Sequence, residues 1–178
     1  MTVSIHHYDS PLGLITEASD GEYLIGLWLE GQKYFAAAMG DDYEEKSLPV
    51  FAQTDRWLDI YFSGQEPDFT PPLKPQGTDF RRAIWDILLT IPYGQTMTYG
   101  EIAQRMAKAK GIAKMSAQAV GGAVGHNPIT LIIPCHRVVG TNGSLTGYAG
   151  GINRKVQLLK LEQTDMTGMF IPKKGTAL

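Results

Sequence analysis

A chain of 178 residues with 43% hydrophobic content can bury one large core or two small ones, and its single cysteine excludes an intramolecular disulfide. The formal net charge of −2 hides a split: residues 1–78 hold 4 Lys+Arg against 13 Asp+Glu, residues 79–163 hold 10 against 4, and the rest nets +1. That asymmetry predicts two units, only the second suited to a polyanion, while the lack of a basic-then-apolar leader and of any bilayer-length apolar run makes a cytoplasmic protein without membrane contact the expectation.

In chain order, Val3–Tyr8, Leu14–Ala18 and Tyr23–Leu29 are strand-like and are separated by turn residues at Ser10–Gly13 and Ser19–Gly21, the pattern of an antiparallel meander. Tyr34–Met39 is expected to add a helical turn or two, and the acidic run Asp41–Glu45 to be a solvated loop. From Pro49 to Phe62, Phe51, Asp55, Leu58 and Phe62 recur at helical spacing. This first unit, 1–63, carries no catalytic constellation. Adjacent His6 and His7, with no cysteine nearby, are expected to decorate a strand, and no metal is expected. Residues 64–77, with four prolines and two glycines, read as an extended linker.

In the second unit, 78–163, Thr78 is placed to cap a helix carrying Phe80, Ile84, Ile87 and Leu88. Thr98-Tyr99-Gly100-Glu101 fits a capping box. A basic connection, Lys108–Lys114, leads to Ser116 as the next N-cap. The helix that follows, near Ala117–Gly125, has an apolar stripe (Val120, Ala123, Val124) and a bare one (Gln118, Gly121, Gly122, Gly125). Each interior glycine costs about 0.5–1 kcal/mol against alanine. The bare face therefore has a use, either tight packing in the core or close approach of a nucleic-acid backbone. Two short helices joined by a basic turn have the layout of a helix-turn-helix.

Leu131-Ile132-Ile133-Pro134-Cys135-His136-Arg137-Val138-Val139 reads as a buried strand broken at Pro134, exposing one thiol beside two potential cations. Positive neighbours favour the thiolate, which is the nucleophilic form; a buried structural cysteine is the bland alternative. Thr146–Gly151 is a glycine-rich loop around Tyr148, with glycine giving a ligand room. Asn153 is expected to cap a last helix bearing Val156, Leu159 and Glu162, and residues 164–178 to form a weakly ordered tail.

Ile133–Val138, preceded by Ala119–Ala123 and His126-Asn127-Pro128 and followed by Gly147-Tyr148-Ala149-Gly150-Gly151, resembles the O6-alkylguanine-DNA alkyltransferase family (methylated-DNA:protein-cysteine methyltransferase), closely over residues 77–163 and in outline before them. The resemblance implies an α+β fold: an N-terminal ribonuclease-H-like antiparallel sheet with helix, then a mainly helical domain with helix-turn-helix and the active-site cysteine. It also implies repair of O6-alkylguanine in double-stranded DNA, approached through the minor groove, by a monomer that needs no cofactor. The target base is flipped out and its alkyl group moves irreversibly to Cys135, once per molecule; O4-alkylthymine is a further candidate lesion. By the same resemblance His136 deprotonates Cys135 through a water, Glu162 holds His136, Asn127 braces the cysteine segment, and Tyr99 rotates the nucleotide and gives the leaving guanine a proton. Tyr148, Val138, Gly147, Ala149 and Gly150 then form the base pocket, and Ser116, Ala117, Gln118, Gly121, Gly122 and Arg137 meet the DNA.

The chain departs from the family's pattern twice. The family usually has arginine where this chain has Gln118, which lacks the planar cation and predicts weaker duplex affinity with unchanged chemistry. The first unit also lacks the cysteines of relatives that hold structural zinc. Rival readings are a Cys135/His136 thiol hydrolase, a lesion binder without transfer, and a transcription regulator.

Overall fold

In the computed structural model, which describes residues 2–36 and 39–173, local turn chemistry closes the first hairpin. The Ser10 hydroxyl accepts from Leu12 N–H and donates to Gly13 O, and Gly13 takes a φ of 114°, where glycine is favoured. Strands β1 (Val3–Ser10), β2 (Gly13–Ser19) and β3 (Leu24–Leu29) pair antiparallel, with His6 opposite Glu17. The acidic run expected to be a loop is instead strand β4 (Tyr43–Glu45), added parallel to β1, so the sheet order is β3-β2-β1-β4. The open edge of β1 explains it: Val3 N–H donates to Asp42 O and Lys46 N–H to Ile5 O, while exposed acidic side chains blunt the new edge. Tyr34 and Ala36 have φ of 60° and 55° and form turns rather than a helix; Ala37 and Ala38 of that expected helix lie outside the described residues.

One face of the sheet buries Val3, Ile5, Ala18, Ile25 and Trp28 together. The other meets α1 (Pro49–Phe62), where Phe51 stacks on His6 at 5.4 Å and Tyr8 donates to Asp59. Two later segments extend β3. Leu73, in the expected linker, pairs with Leu24, and Ile129 pairs with Leu27. The chain accordingly divides into two units, Met1–Gln76 with Pro128–Ile132, and Gly77–Asn127 with Ile133–Leu178.

In the second unit, α2 (Asp79–Leu88) is capped by Thr78, which accepts from Arg81 N–H, and Trp85 donates its indole N–H to the Ala123 carbonyl. Two-residue strands β5 (Met97–Thr98) and β6 (Val138–Val139) pair parallel. Helix α3 (Tyr99–Lys110) starts in a complete capping box between Thr98 and Glu101, and ends at Gly111, φ 66°. Helix α4 (Ala117–Gly125) follows, with Ser116 accepting from Ala119 N–H. Helix α5 (Ile152–Leu161) is preceded by Gly151, φ 94°; Asn153, expected as its cap, lies inside it and is exposed. The expected tail is bonded as far as Phe170, which donates to Gly143 O and accepts from Leu145 N–H, and Met166 and Met169 pack on Val139, Leu145 and Leu159. No helix among the described residues is long and apolar enough to cross a membrane.

Candidate active site and nucleic-acid interface

Pro134 decides the geometry at the cysteine. Its φ of −83° and ψ of 66° make an inverse γ-turn, in which Cys135 N–H donates to Ile133 O at 2.8 Å. Cys135-His136-Arg137 then form one turn of 3₁₀ helix before β6. The expected broken strand is thus corrected: Leu131 is left-handed at φ 75° and the chain turns from there to Arg137. At three residues per turn, successive side chains stand about 120° apart, so His136 is not thrown to the face opposite Cys135 as it would be in a strand.

The thiol is not exposed either. Cys135 is 4% accessible, and burial raises its pKa above the ordinary value. A hydrogen bond from Asn127, the charge of Lys155 and the backbone N–H groups of Cys135 and His136 pull the other way without overcoming it. The resting species is the thiol. Asn127, itself buried, also donates to Ile133 O at 2.7 Å, tying the end of α4 to the turn.

His136 and Glu162 are buried and bonded to each other, His136 Nε2 to Glu162 Oε2 at 2.5 Å. Arg137, expected at the DNA surface, turns inward: Nε donates to Glu162 Oε1 at 2.8 Å, Nη2 to Oε2 at 3.2 Å and Nη1 to Ile91 O at 2.8 Å. Glu162 therefore holds both the His136 ring and the Arg137 guanidinium. Burial alone would raise its pKa, but the hydrogen bonds and charges of His136 and Arg137 outweigh it and hold the carboxyl well below the usual range. Burial lowers the His136 pKa, against the pull of Glu162, so the ring is neutral at neutral pH.

Lys155 escaped the sequence reading. It is fully buried and donates to the carbonyls of Val138 and Thr146, and burial lowers its pKa to about 8 although the nearby Cys135 raises it. The available signal was its place on the stripe of α5 that also buries Leu158 and Leu159. This lysine joins β6 to the glycine-rich loop.

Tyr99, the first residue of α3, donates to Gly147 O at 3.1 Å, and burial pushes its pKa up, so it stays a phenol. Tyr148 is buried edge-on to His136, with ring centroids 6.4 Å apart. A methyl group on Gly150 would meet that ring at 2.6 Å, so glycine there gives Tyr148 its place. Val138 is buried, Gly147 has φ 78° and Ala149 is half-buried. A cleft of about 410 Å³ is lined by Tyr99, Ala117, Gln118, Gly121, Gly140, Thr141, Thr146 and Gly147. It gathers residues of three predicted groups, although Cys135 and His136 do not line it. Ser116, Ala117 and Gln118 are exposed, and a Cβ on Gly121 or Gly122 would meet nothing within 4 Å. The bare stripe at these two positions is therefore open surface and not core packing.

The family model described as 6-O-methylguanine DNA methyltransferase, DNA binding domain, matches residues 79–164, and the ribonuclease-like domain of the same name matches residues 3–75. The chain is 44% identical over 161 residues to the methylated-DNA–protein-cysteine methyltransferase of Mycobacterium tuberculosis, covering 89% of this chain and 93% of that protein. It is 42% identical over 158 residues to the protein of that name from Haemophilus influenzae, covering 88% and 84%. Among solved structures, the crystal structure of Mycobacterium tuberculosis OGT in complex with DNA superposes with a TM-score of 0.78 at 41% identity, covering 92% of this chain and 93% of that one. An O6-methylguanine DNA methyltransferase from Methanococcus jannaschii gives 0.58 at 28% identity, covering 96% and 100%.

Proposed function

The chain belongs to the 6-O-methylguanine DNA methyltransferase family, and on that premise we propose how it repairs DNA by direct reversal, moving an alkyl group from O6 of guanine to Cys135. The observation that carries the assignment is the lone cysteine, buried and hydrogen-bonded by Asn127, on the same turn as a His136 fixed by Glu162. A stacked base cannot be attacked, so the guanine leaves the duplex for the pocket formed by Tyr148, Val138, Gly147, Ala149 and Gly150. The Cys135 sulfur forms a bond to the alkyl carbon as the carbon–O6 bond breaks. His136 Nε2 is engaged by Glu162, so the thiol proton reaches the ring's other nitrogen, through a water. Glu162 balances the charge that appears on the ring, Lys155 steadies the thiolate, and the Tyr99 phenol supplies a proton to the departing guanine.

A raised thiol pKa means that the thiolate has to be generated by proton transfer to His136 during the reaction. The product thioether does not revert, which makes the transfer a single event per molecule. The exposed start of α4, with Ser116, Ala117, Gln118, Gly121 and Gly122, is the surface for the minor groove, in a helix-turn-helix with α3. All acting residues come from one chain, so a monomer suffices, and an acceptor thiol must stay reduced, which fits the cytoplasm.

The test is an intact-mass measurement after incubation with a duplex oligonucleotide containing O6-methylguanine. One methyl group on Cys135, absent from Cys135→Ala and not increased by further substrate, is the expected result. DNA bound with the mass unchanged would make the protein a lesion binder, and repeated turnover of an ester would make it a hydrolase.

A further inference from the structure

The side of the first sheet beneath α1 carries polar groups that alkyl transfer does not use. His6 on β1 and Glu17 on β2 are directly opposed, so their side chains leave the sheet side by side, and Asp55 reaches them from α1. One donor atom from each of the three lies within 4.8 Å of the other two, and His6 Nε2 stands 2.8 Å from Asp55 Oδ2. Phe51, stacked on the imidazole, fixes its plane.

Glu17 is what strand decoration does not explain. It is 0% accessible, neither carboxylate oxygen meets an N–H or hydroxyl donor, and no lysine or arginine pairs with it among the described residues. Its polar neighbour is the Asp55 carboxyl, and burial together with that neighbour pushes the Glu17 pKa up to about 10, so without an ion Glu17 keeps its proton. A buried carboxylate without a counter-charge is strongly unfavourable, so either a proton or a cation belongs between the two acids. His7, by contrast, faces exposed Glu45 at 3.3 Å and fits the bland reading.

We propose that His6, Glu17 and Asp55 bind one divalent transition-metal cation of the zinc type. The donor set is one imidazole nitrogen and two carboxylates, whose two negative charges balance the ion. Metal–ligand bonds of about 2.0–2.2 Å place donors roughly 3–4 Å apart, so His6 Nε2 and Asp55 Oδ2, now 2.8 Å apart, part slightly to admit the ion. The side chains of His6 and Asp55 are 36% and 30% accessible, which leaves an open side where water completes the coordination. The ion ties α1 to the first two strands, a structural role separate from Cys135.

The experiment is calorimetric titration of the full-length Cys135→Ala protein, which removes the one competing thiol, with Zn²⁺ after treatment with a chelator. One equivalent should bind and raise the unfolding temperature. Glu17→Gln and Asp55→Asn should each weaken binding by about 100-fold, the upper end for loss of even an outer partner, while His7→Ala should leave it unchanged. Asp55→Asn, at a part-exposed position, serves if Glu17→Gln does not fold. Failure to saturate at one equivalent, or binding undiminished in a folded acid-to-amide variant, overturns the proposal, and a proton held between the two acids is then the counter-charge.

Discussion

Glu162 is the residue on which the interior of the second unit turns, since one carboxylate receives His136 and two donors of Arg137. Glu162→Gln keeps an acceptor and removes the charge, leaving Arg137 without its counter-ion in a largely buried place. We predict a loss of about 3 kcal/mol, at the low end for breaking a buried pair, read as a fall in the urea midpoint. The same pair sets an acid limb of stability. The folded-state pKa of His136 lies below its ordinary 6.5 and that of Glu162 below 4.5, so on acidification the unfolded chain takes up each proton first. Both contributions are full above about 6.5 and are lost as pH falls through the folded-state values. Urea midpoints should therefore decline steadily below pH 6.5, and the His136→Asn variant should show no loss between 6.5 and 4.5 from this source. Lys155→Met removes the donor to the Val138 and Thr146 carbonyls and the cation near the thiol; it should cost about 1–3 kcal/mol and slow alkyl transfer to the protein from free O6-benzylguanine as well as from DNA. At this scale the sequence marks candidate side chains but not their state. The thiol is expected exposed because residue types carry no information on burial, and Arg137 outside because its partner Glu162 lies 25 residues away.

Helix α4 gives the clearest case at the scale of an element. Its glycines at 121 and 122 have no neighbour for a Cβ to strike, so Gly121→Ala and Gly122→Ala should stabilise the free protein by about 0.5–1 kcal/mol through helix propensity alone. If the DNA backbone approaches this stripe, the same changes should weaken duplex binding by about tenfold, roughly 1.4 kcal/mol; a gain in stability with unaltered affinity would remove the stripe from the interface. Gln118→Arg, at the exposed edge of the cleft, should speed repair of a duplex more than reaction with a free base, and equal gains on both would refute a role in duplex engagement. Elements were legible where their signals are local. Thr78, Thr98 and Ser116 cap the helices expected of them because a side chain and an N–H three residues on are all the motif needs. β4 was not legible, since it exists only by pairing with β1 some forty residues earlier. Nor was the turn at Cys135, where branched residues suggest a strand and Leu131 and Pro134 take the backbone out of it.

At the scale of the whole chain, the path between α4 and the cysteine matters most. Asn127 and Ile133 belong to the second unit, yet Pro128–Ile132 between them belong to the first. Leu27 N–H donates to Pro128 O and Thr130 N–H to Leu27 O, each at 2.9 Å, and Thr130 shares the Gln32 side-chain oxygen with Leu29 N–H. Ile129 and Leu131 are buried in that setting, at 0% and 1% accessible. The charge split along the sequence suggests two consecutive units, and nothing local shows that five residues of the later half are partners of β3. The consequence is testable by truncation. A fragment of residues 77–178 keeps Cys135, His136, Asn127 and Glu162 but strips Ile129 and Leu131 of their cover and leaves two backbone groups of the connecting segment without partners. Each lost buried hydrogen bond costs about 1–3 kcal/mol, and the exposed apolar pair adds about 1.5–3 kcal/mol per side chain. Because Asn127 and Ile133 flank this segment and together position the thiol, the loss reaches the reaction. The fragment should transfer the methyl group from an O6-methylguanine oligonucleotide at least about tenfold more slowly than the whole chain, a barrier increase of about 1.4 kcal/mol. Adding back the separate 1–76 fragment should restore part of the rate. A fragment as fast and as stable as the intact protein would show that the first unit contributes nothing to holding the cysteine.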